Sequence, residues 1–445
     1  MTAVEQRDTL DTSPALRRLV AVDPDDFARR VWGRAALLSR REELAAEQSA
    51  RDLLDADAVD ELVSRRGLRT PFVRVAKNGT TLPEREFTAS GGIGASIGDQ
   101  VSDDKLLRLF ADGATIVLQG LHRLWPPLID FSQALTADLG HPVQVNAYVT
   151  PPQSRGFDDH YDVHDVFVLQ VEGEKRWRVH EPVHRAPLRD QPWTDHRATV
   201  EAAAGTEPVI DTVLRPGDCL YLPRGYLHAA TALGGVSTHL TFGVHTWTRH
   251  HLADELVRAA LIALREDADT RASLPLGIDV GDAADVADEV ELVRRRVAEA
   301  IGTVSADVVA DRLAVRSRAS SRAAPVGPLR QLRTAQEVGQ QGVPLRLRPH
   351  LDASVERAGD ASGRRLLRSR AGELGLAESD VPAVERLLVA ARASGDDTAE
   401  GHPDAVSEEP LAGTDLPRAT VADVLSDLAP DLVRRLVLAG VLVAE

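Results

Sequence analysis

The chain has 445 residues, 43% apolar and 27% charged, a composition typical of a globular protein of two to three domains. Its formal net charge of −16 would repel a nucleic-acid backbone, so direct binding of DNA or RNA is not expected. The single cysteine, Cys219, excludes an intramolecular disulfide, and the sequence shows no signal-peptide pattern or apolar run of membrane length. We therefore expect a cytoplasmic protein that makes no membrane contact.

The first part of the chain is predicted to be helical, because apolar residues recur three and four positions apart over residues 16–66. We assign residues 1–68 to an N-terminal helical region that packs on the domain after it. Short strands and turns follow over residues 70–98, and two helices are predicted over residues 102–112 and 125–139.

The central part of the chain is predicted to be all-β. Strand-like segments alternate with Pro/Gly turns at regular intervals over residues 143–247. That rhythm is typical of an antiparallel barrel or a double-sheet jelly roll. We assign residues 69–250 to this domain.

The last part is predicted to contain a helical module with a linker over residues 251–328 and an α+β domain over residues 329–445. SRASSRAAPVGP, from Ser317, looks like the linker, and the acidic stretch of residues 394–410 looks like a mobile loop. Helix, helix and strand at the end of the chain suggest a winged-helix-like fold. Since residues 331–445 carry more acidic than basic side chains, we expect a structural or protein-contact role for this domain.

A possible metal site stands in the centre of the chain, in GFDDHYDVHDVF. His160 and Asp162 are one residue apart, and in an extended strand that spacing puts both side chains on one face. RPGDCLYLPRGYLHAAT supplies a third candidate, His228, after a second Pro/Gly turn. Two histidines and one carboxylate form the facial triad of non-haem Fe(II) oxygenases. The ligand types alone suit Mn(II), Zn(II) and Ni(II) as well.

These motifs resemble the catalytic core of the JmjC/cupin-type 2-oxoglutarate oxygenases, and more narrowly the ribosomal oxygenases, which hydroxylate side chains of ribosomal proteins. The segments that carry the resemblance are VQVNAYVTPP, HYDVHDVFVLQVEGEKRWRV, RPGDCLYLPRGYLHAA and STHLTFGV. The resemblance implies a double-stranded β-helix of the jelly-roll, cupin-like type for the catalytic core. It also implies Fe(II) as the metal, with 2-oxoglutarate and O2 as co-substrates.

Lys175 is the candidate partner for the far carboxylate of 2-oxoglutarate. It follows Glu172-Gly173-Glu174, which is predicted to be a turn, so that Lys175 lies on a strand returning beside the metal strand. The resemblance places four further residues near the co-substrate, although cross-strand packing explains the last two nearly as well: Asn146, Tyr148, His239 and Thr241. Phe167, Leu169 and Trp177 are predicted to belong to the barrel core.

The predicted function is a protein hydroxylase that acts on an Arg or His side chain of a ribosomal protein and releases succinate and CO2. The resemblance also implies a homodimer formed through the helical module. An oxygenase acting on a small molecule in biosynthesis is the first alternative. A catalytically silent metal-binding cupin that serves as an interaction module is the second.

Overall fold

The computed structural model describes residues 13–44, 49–94, 96–152, 154, 158–338, 343–358, 363–394 and 420–445. The chain divides into two compact units, Met1–Thr246 and Trp247–Glu445. No helix among the described residues is both long and apolar enough to span a membrane.

The first unit contains eleven strands and five helices in its described part. The strands are β1 Leu37–Ser39, β2 Val73–Lys77, β3 Thr80–Thr81, β4 Thr88–Ala89, β5 Gln100–Val101, β6 Thr115–Leu118, β7 Val143–Thr150, β8 Asp165–His180, β9 Ile210–Leu214, β10 Cys219–Leu222 and β11 Leu227–Val244. The helices are α1 Pro24–Asp26, α2 Ala56–Arg65, α3 Asp103–Ala111, α4 Pro126–Leu139 and α5 Arg197–Ala204.

Nine of these strands form one antiparallel sheet, in the order β1-β10-β8-β11-β7-β6-β2-β3 with β9 also paired to β8. The strands β8 and β11 are 16 and 18 residues long and pair with each other along most of their lengths. The first half of β8 also pairs with β10, and its second half pairs with β9. The jelly-roll core predicted from the sequence is therefore confirmed.

The prediction of a chain reversal at Glu172-Gly173-Glu174 is wrong. Gly173 lies inside β8 with φ of 65°, at a β-bulge where the register with β11 shifts. A Cβ on Gly173 would lie 2.1 Å from the carbonyl oxygen of Val236, so only glycine fits this close approach. Because ladder pairing resumes at Glu174 and Lys175, the strand bends and continues, and its returning partner is β11.

The bulge reverses the face on which alternate residues of β8 point. Before it, Val166 and Val168 lie in one apolar cluster, while Phe167 and Leu169 lie in another that includes Phe27 and the N-terminal segments. After it, Trp177 lies with Val166 and Val168. A single extra residue in a strand has this effect because side chains alternate with a period of two. The prediction that Phe167, Leu169 and Trp177 belong to the core is therefore confirmed, and the bulge divides them between two clusters.

The N-terminal segment is less helical than predicted. Its described part contains short 3-10 and π turns, the strand β1 and one regular helix of ten residues, α2. The buried side chains Leu16, Leu19 and Phe27 nevertheless pack into the large core of the first unit. Tertiary burial rather than helix propensity holds this segment, which explains why apolar periodicity alone misjudged it.

The second unit contains seven helices and five strands in its described part. The helices are α6 Arg249–Ala263, α7 Ala287–Thr303, α8 Ala306–Ser320, α9 Pro328–Glu337, α10 Val381–Ser394, α11 Val421–Ser426 and α12 Pro430–Leu438. The strands are β12 Leu345–Leu347, β13 Ser354–Arg357, β14 Arg365–Ser369, β15 Gly372–Leu376 and β16 Leu442–Ala444.

The C-terminal helices and final strand follow the sequence prediction. Thr420 caps α11 through a capping box with Asp423, and α12 buries Leu432, Val433, Leu436 and Val437. The predicted linker starts later than expected, because α8 continues to Ser320 and Arg318 pairs with Glu356. The predicted acidic loop of residues 394–410 lies outside the described residues from position 395 onward.

Candidate active site

The three candidate ligands converge at one end of the barrel. One donor atom from each of His160, Asp162 and His228 lies within 4.8 Å of the other two. Nε2 of His228 is 3.8 Å from Oδ2 of Asp162, and the two imidazole ring centroids are 4.5 Å apart. Metal bonds of about 2.1 Å meeting at a right angle separate two donor atoms by about 3 Å. The donor atoms are thus spaced somewhat wider than in an occupied site, and the cluster is a candidate metal site.

Two segments that are distant in sequence bring these ligands together. His160 and Asp162 lie in the extended segment before β8, and His228 is the second residue of β11. The backbone N–H of His228 donates to His160 O (2.9 Å), and that of His160 donates to His228 O (3.2 Å). Tyr161 points away, is 1% exposed and donates its hydroxyl to Gln191 O. The predicted shared face of His160 and Asp162 is thus present.

Hydrogen bonds to the backbone fix which imidazole nitrogen carries the proton. Nδ1 of His160 lies 2.7 Å from Asp158 O, and Nδ1 of His228 lies 3.1 Å from Tyr226 O. A carbonyl oxygen accepts only, so each Nδ1 is the donor, and Nε2 is the ring nitrogen left to bind a metal. Burial, and then the neighbouring His160, lower the pKa of His228 to about 4. His228 is therefore neutral at pH 7 and suited to bind a cation.

The carboxylate of Asp162 is ionised in this environment. Burial acts to raise its pKa, but the neighbouring His164 and His228 outweigh burial, and the net pKa lies below the ordinary value. Two imidazoles and one anionic carboxylate make a donor set for a divalent first-row metal such as Fe(II). The residues present fit the metal that the resemblance implies.

Lys175 lies in the interior of the same pocket and is 4% exposed. Its Nζ donates to Oγ1 of Thr150 at 3.1 Å and lies 3.5 Å from Nδ1 of His239. Burial lowers the pKa of Lys175 to about 7, and within the described part of the chain no carboxylate offsets that shift. A buried ammonium group without a counter-ion is costly, and an anionic ligand would relieve the cost.

The bulge at Gly173 explains how Lys175 reaches this pocket. Val166 and Val168 line the pocket before the bulge, and Lys175 and Trp177 line it after the bulge. Residues of β11 line the pocket on both sides of its register shift, and those before the shift are His228, Ala229 and Ala230. After that shift the lining residues of β11 are His239 and Thr241.

Three pocket residues predicted from the resemblance lie on paired strands. His239 is directly opposite Tyr148, and their rings stack with centroids 4.8 Å apart and an interplanar angle of 2°. Burial, and then the charge of Asp162, raise the pKa of Tyr148 to about 12, so its hydroxyl stays protonated. Burial, with Lys175 nearby, holds the pKa of His239 well below its ordinary value. Thr241 is also buried and lines the pocket.

Asn146 is the one predicted site residue that does not line this interior pocket. Its Oδ1 accepts a hydrogen bond from the N–H of Gly120 at 3.1 Å. It lines a neighbouring cleft of about 610 Å³ that shares Tyr148 and Asp162 with the pocket. Asn146 therefore shares a cleft with the candidate ligand Asp162, and the lining of that cleft does not include Lys175.

Three further lining or supporting residues were missed by the sequence analysis. Oγ1 of Thr115 donates to Oγ1 of Thr150 at 3.2 Å, so a chain of two hydroxyls leads to Lys175. Trp177 lines the pocket as well as belonging to the core, and its buried Nε1 has no acceptor among the described residues. Isolated threonines carry no sequence signal, and only the β6–β7 pairing brings Thr115 to Thr150.

Two clefts of opposite charge flank the candidate metal ligands. One, of about 620 Å³, includes His160 and is lined by Asp158, Asp159, Glu201, Trp193 and Arg197. The other, the cleft of Asn146, includes Asp162 and carries the basic side chains of Arg74 and Arg123. The cleft beside His160 thus has an excess of carboxylates, and the cleft beside Asp162 has an excess of cations.

Comparison with known families identifies the class of this domain. Residues 128–252 match the family described as JmjC domain. The matched range contains the candidate ligands, Lys175 and the other predicted pocket residues. Together with the jelly-roll fold, the match confirms the resemblance to JmjC domains that the sequence predicts for this part of the chain.

Similar proteins narrow the comparison. Human ribosomal oxygenase 1 is 31% identical over 265 residues, which cover 58% of this chain and 38% of that protein. The bifunctional lysine-specific demethylase and histidyl-hydroxylase NO66 of Drosophila erecta is 41% identical over 137 residues, or 30% of this chain and 20% of that protein. The chain therefore spans less than half the length of these curated relatives.

Solved structures show the same fold along almost the whole chain. A crystal structure of the Escherichia coli ribosomal oxygenase YcfD matches with a TM-score of 0.51 and 17% identity, covering 96% of this chain and 99% of that one. YcfD in complex with cobalt and 2-oxoglutarate matches with a TM-score of 0.50 and 17% identity over the same shares.

Proposed function

We propose that this protein is an Fe(II)- and 2-oxoglutarate-dependent oxygenase that hydroxylates a protein side chain and releases succinate and CO2. We further propose that the side chain is an Arg or His of a ribosomal protein. One observation carries the proposal: a metal-binding cluster and a buried, uncompensated ammonium group line the same narrow cavity, of about 60 Å³.

A small dianion such as 2-oxoglutarate suits this pocket because its two ends have different chemistry. Its 2-oxo acid end would bind the metal held by His160, Asp162 and His228. Its far carboxylate would accept hydrogen bonds from Lys175 and from the hydroxyl groups around Thr150. Trp177 Nε1 offers a further donor in the pocket wall.

The metal, when bound, supplies the activation of O2 that is coupled to oxidative decarboxylation of 2-oxoglutarate. The protein contributes orientation and exclusion of side reactions. Lys175 fixes one end of the co-substrate, and the apolar walls formed by Val166 and Val168 keep water from the reacting atoms. Hydroxylation of this type requires no general base, so a protein acid–base pair is not part of the proposal.

The cleft beside His160 supports a cationic protein segment as the prime substrate. Its carboxylates Asp158, Asp159 and Glu201 exceed the single cation Arg197, whose guanidinium stacks 4.6 Å from the ring centroid of Trp193. Ribosomal proteins are rich in Arg and Lys and would be attracted by both this cleft and the net charge of −16.

The similar proteins support the same reaction. Ribosomal oxygenase 1 and the histidyl-hydroxylase NO66 carry oxygenase or hydroxylase activity in their names. YcfD has been crystallised with cobalt and 2-oxoglutarate and with cobalt and succinic acid. The first complex holds the proposed co-substrate, and the second holds succinic acid, the acid form of the proposed product. Both agree with the binding of a small dianion that Lys175 favours in this pocket.

An anaerobic titration with Fe(II) and then 2-oxoglutarate tests the core of the proposal. We expect a weak visible charge-transfer band from the chelated complex, lost in the Asp162→Ala variant. A protein that gives no band but binds another metal tightly would instead be a catalytically silent module.

The substrate is tested by mass spectrometry of ribosomal proteins from wild-type and deletion strains. We expect one protein that is heavier by one oxygen atom only in the wild type. If all ribosomal proteins have equal masses while purified enzyme turns over 2-oxoglutarate with a small molecule, the biosynthetic alternative replaces the ribosomal one.

The contribution of the acidic cleft is tested with Glu201→Gln, and Glu207→Gln outside the cleft serves as the control. We expect Glu201→Gln to raise the KM for an Arg-rich substrate peptide and to leave uncoupled 2-oxoglutarate turnover unchanged. Equal KM values for the two variants would argue against this cleft as the substrate route.

Three further features belong to the proposal: a cytoplasmic location, a homodimer formed through the helical module, and a non-nucleic-acid role for the C-terminal domain. The apolar side chains of α6 and α7 that remain half exposed support the dimer, among them Leu261, Ile262, Val290 and Val293. Analytical ultracentrifugation tests it, since a monomer at micromolar concentration would contradict the dimer.

A further inference from the structure

Outside the pocket, a buried ion pair connects the two segments that carry the metal ligands. Asp165 is the first residue of β8, three positions after Asp162, and is 0% exposed. Arg224 lies in the turn between β10 and β11, four positions before His228. Nη1 of Arg224 lies 3.2 Å from Oδ1 of Asp165, and the backbone N–H of Arg224 donates to the same oxygen at 3.1 Å.

The second oxygen of Asp165 is also satisfied. The hydroxyl of Tyr221 donates to Oδ2 at 2.6 Å and itself accepts a hydrogen bond from the N–H of Gly33 at 2.9 Å. Burial, and then the charge of Asp165, raise the pKa of Tyr221 well above its ordinary value, so the phenol remains a donor. Asp165 thus accepts three hydrogen bonds from the end of β10 and the turn that leads to His228.

This turn contacts the ligand segment directly. The N–H of Gly225 donates to the carbonyl oxygen of Asp162 at 3.0 Å, and Gly225 has φ of 92°. The guanidinium of Arg224 also donates to Oγ1 of Thr246 at 3.0 Å, which ties the turn to the residues that follow β11. Any shift of the turn would therefore move Asp162 and His228 relative to each other.

We infer that Asp165 is a positioning residue for the metal site and that it acts through Arg224 and the turn at residues 223–226. Asp165 touches none of the ligand side chains, and its carboxylate sets the spacing between the segment of Asp162 and the strand of His228. The inference rests on the metal site proposed above. Residues that hydrogen-bond to metal ligands change metal affinity by about 10–100-fold when they are replaced, and Asp165, which acts one contact further out, is expected at the lower end of that range.

The opposite end of β10 offers a matched control. Asp218 is 3% exposed, pairs with Arg40 at 2.7 Å, and accepts backbone N–H bonds from Arg41 and Arg215. It resembles Asp165 in burial, in its arginine partner and in its hydrogen bonds to backbone N–H groups, but it contacts neither ligand segment. Replacing either aspartate should lower the stability of the protein. Only the replacement of Asp165 should also lower its metal affinity.

The experiment is a Co(II) titration of full-length wild type, Asp165→Asn and Asp218→Asn well below their melting temperatures, read by the visible absorption of Co(II). We expect Asp165→Asn to weaken Co(II) binding by at least about tenfold. Asp218→Asn should lower the Tm comparably and leave the Kd for Co(II) within about twofold of the wild type, far short of that tenfold loss. Equal Kd values for Asp165→Asn and wild type, or an equal loss in Asp218→Asn, would overturn the inference.

Arg224 variants keep the test decisive if Asp165→Asn does not fold. Arg224→Ala removes the guanidinium but leaves the backbone and Tyr221 bonds to Asp165, and it should weaken Co(II) binding. Arg224→Lys should restore part of that affinity, whereas an Arg224→Ala variant with wild-type affinity would overturn the inference. A wild type that binds Co(II) without turning over 2-oxoglutarate would refute the proposed function alone, and one that binds no Co(II) would refute both.

Discussion

The two ends of the pocket are built in different ways. At the metal end, His160 and Asp162 lie in a loop segment and His228 lies just after a turn, and clefts open on both sides. At the lysine end, Lys175 and Thr150 belong to strands, are 4% and 0% exposed, and bond to each other. The metal end is held by hydrogen bonds between segments, and the lysine end is held by the sheet itself.

This difference matches what each end has to do in the proposed reaction. The metal end of the pocket must be open, because ligands exchange at the metal and a large substrate must approach it. Recognition of one small carboxylate requires a closed end, because the attraction between opposite charges is stronger there than in water. Substitutions should therefore separate metal binding from co-substrate binding, with effects that differ between the two ends.

The largest effect is expected at the metal end. Asp162→Ala removes the one anionic ligand and should weaken metal binding by more than about 100-fold, since even residues behind the ligands cost 10–100-fold. Turnover of 2-oxoglutarate should fall below detection while the Tm of the apo protein changes little. His160→Ala should behave in the same way.

His184→Ala is the matched control for the histidine variant. His184 stacks on His196 with ring centroids 4.7 Å apart and is not part of the metal cluster. It should retain metal binding and turnover. Full activity in His160→Ala, measured with the same iron supply, would contradict the assignment of the metal site.

At the lysine end we expect a smaller and different effect. Lys175→Ala removes a charge-assisted contact worth about 1.5–3 kcal/mol, which corresponds to a rise in the KM for 2-oxoglutarate of about 10–100-fold. Metal affinity should be unchanged, because Lys175 belongs to the other end of the pocket. Lys77→Ala, which removes a partly exposed lysine paired with Asp112 outside the pocket, is the control. A normal KM in Lys175→Ala would remove its assigned role.

The affinity for 2-oxoglutarate should also depend on pH at the lysine end. Burial lowers the pKa of Lys175 to about 7 in the ligand-free protein, and the facing His239 is neutral across this range. The protonated lysine binds the carboxylate, so affinity is full below pH 7 and falls by at most about tenfold per unit above it. Lys175→Arg should abolish this dependence between pH 6.5 and 8.5, since arginine stays charged. Equal slopes in both proteins would contradict the prediction.

Sequence patterns predicted the metal end better than the lysine end. The spacing of His160 and Asp162 and the Pro/Gly turn before His228 are local features, and a local pattern was enough to place all three. Lys175 lies in the predicted pocket for a different reason than expected, because a turn at Glu172-Gly173-Glu174 was predicted to put it on a separate strand, whereas β8 continues through it. Simple alternation along β8 would have put Lys175 on the same face as Phe167, away from the pocket. Only the bulge at Gly173 brings Lys175 into the pocket.

The remaining features depend on contacts between distant parts of the chain. Thr115 and Thr150 meet because β6 pairs with β7, and Asp165 meets Arg224 because a turn 59 residues away folds against it. Asn146 shares a strand with Tyr148, yet its Oδ1 is taken up by Gly120. Neither periodicity nor motif spacing contains these pairings, since each is decided by the register of the sheet.

The smallest effect expected concerns the bulge on which the lysine end depends. Gly173→Ala would place a Cβ 2.1 Å from Val236 O at a φ of 65°, and should cost about 1–3 kcal/mol of folding free energy for the backbone strain and a further amount for the clash. Gly234→Ala is the control, because its φ is 69° and nothing lies within 4 Å of its Cβ, so it shares the backbone strain without the clash. Relative to that control, Gly173→Ala should raise the KM for 2-oxoglutarate and leave the Kd for Co(II) unchanged. An equal change at the metal end would show that the bulge supports the whole pocket and that its two ends are not built independently.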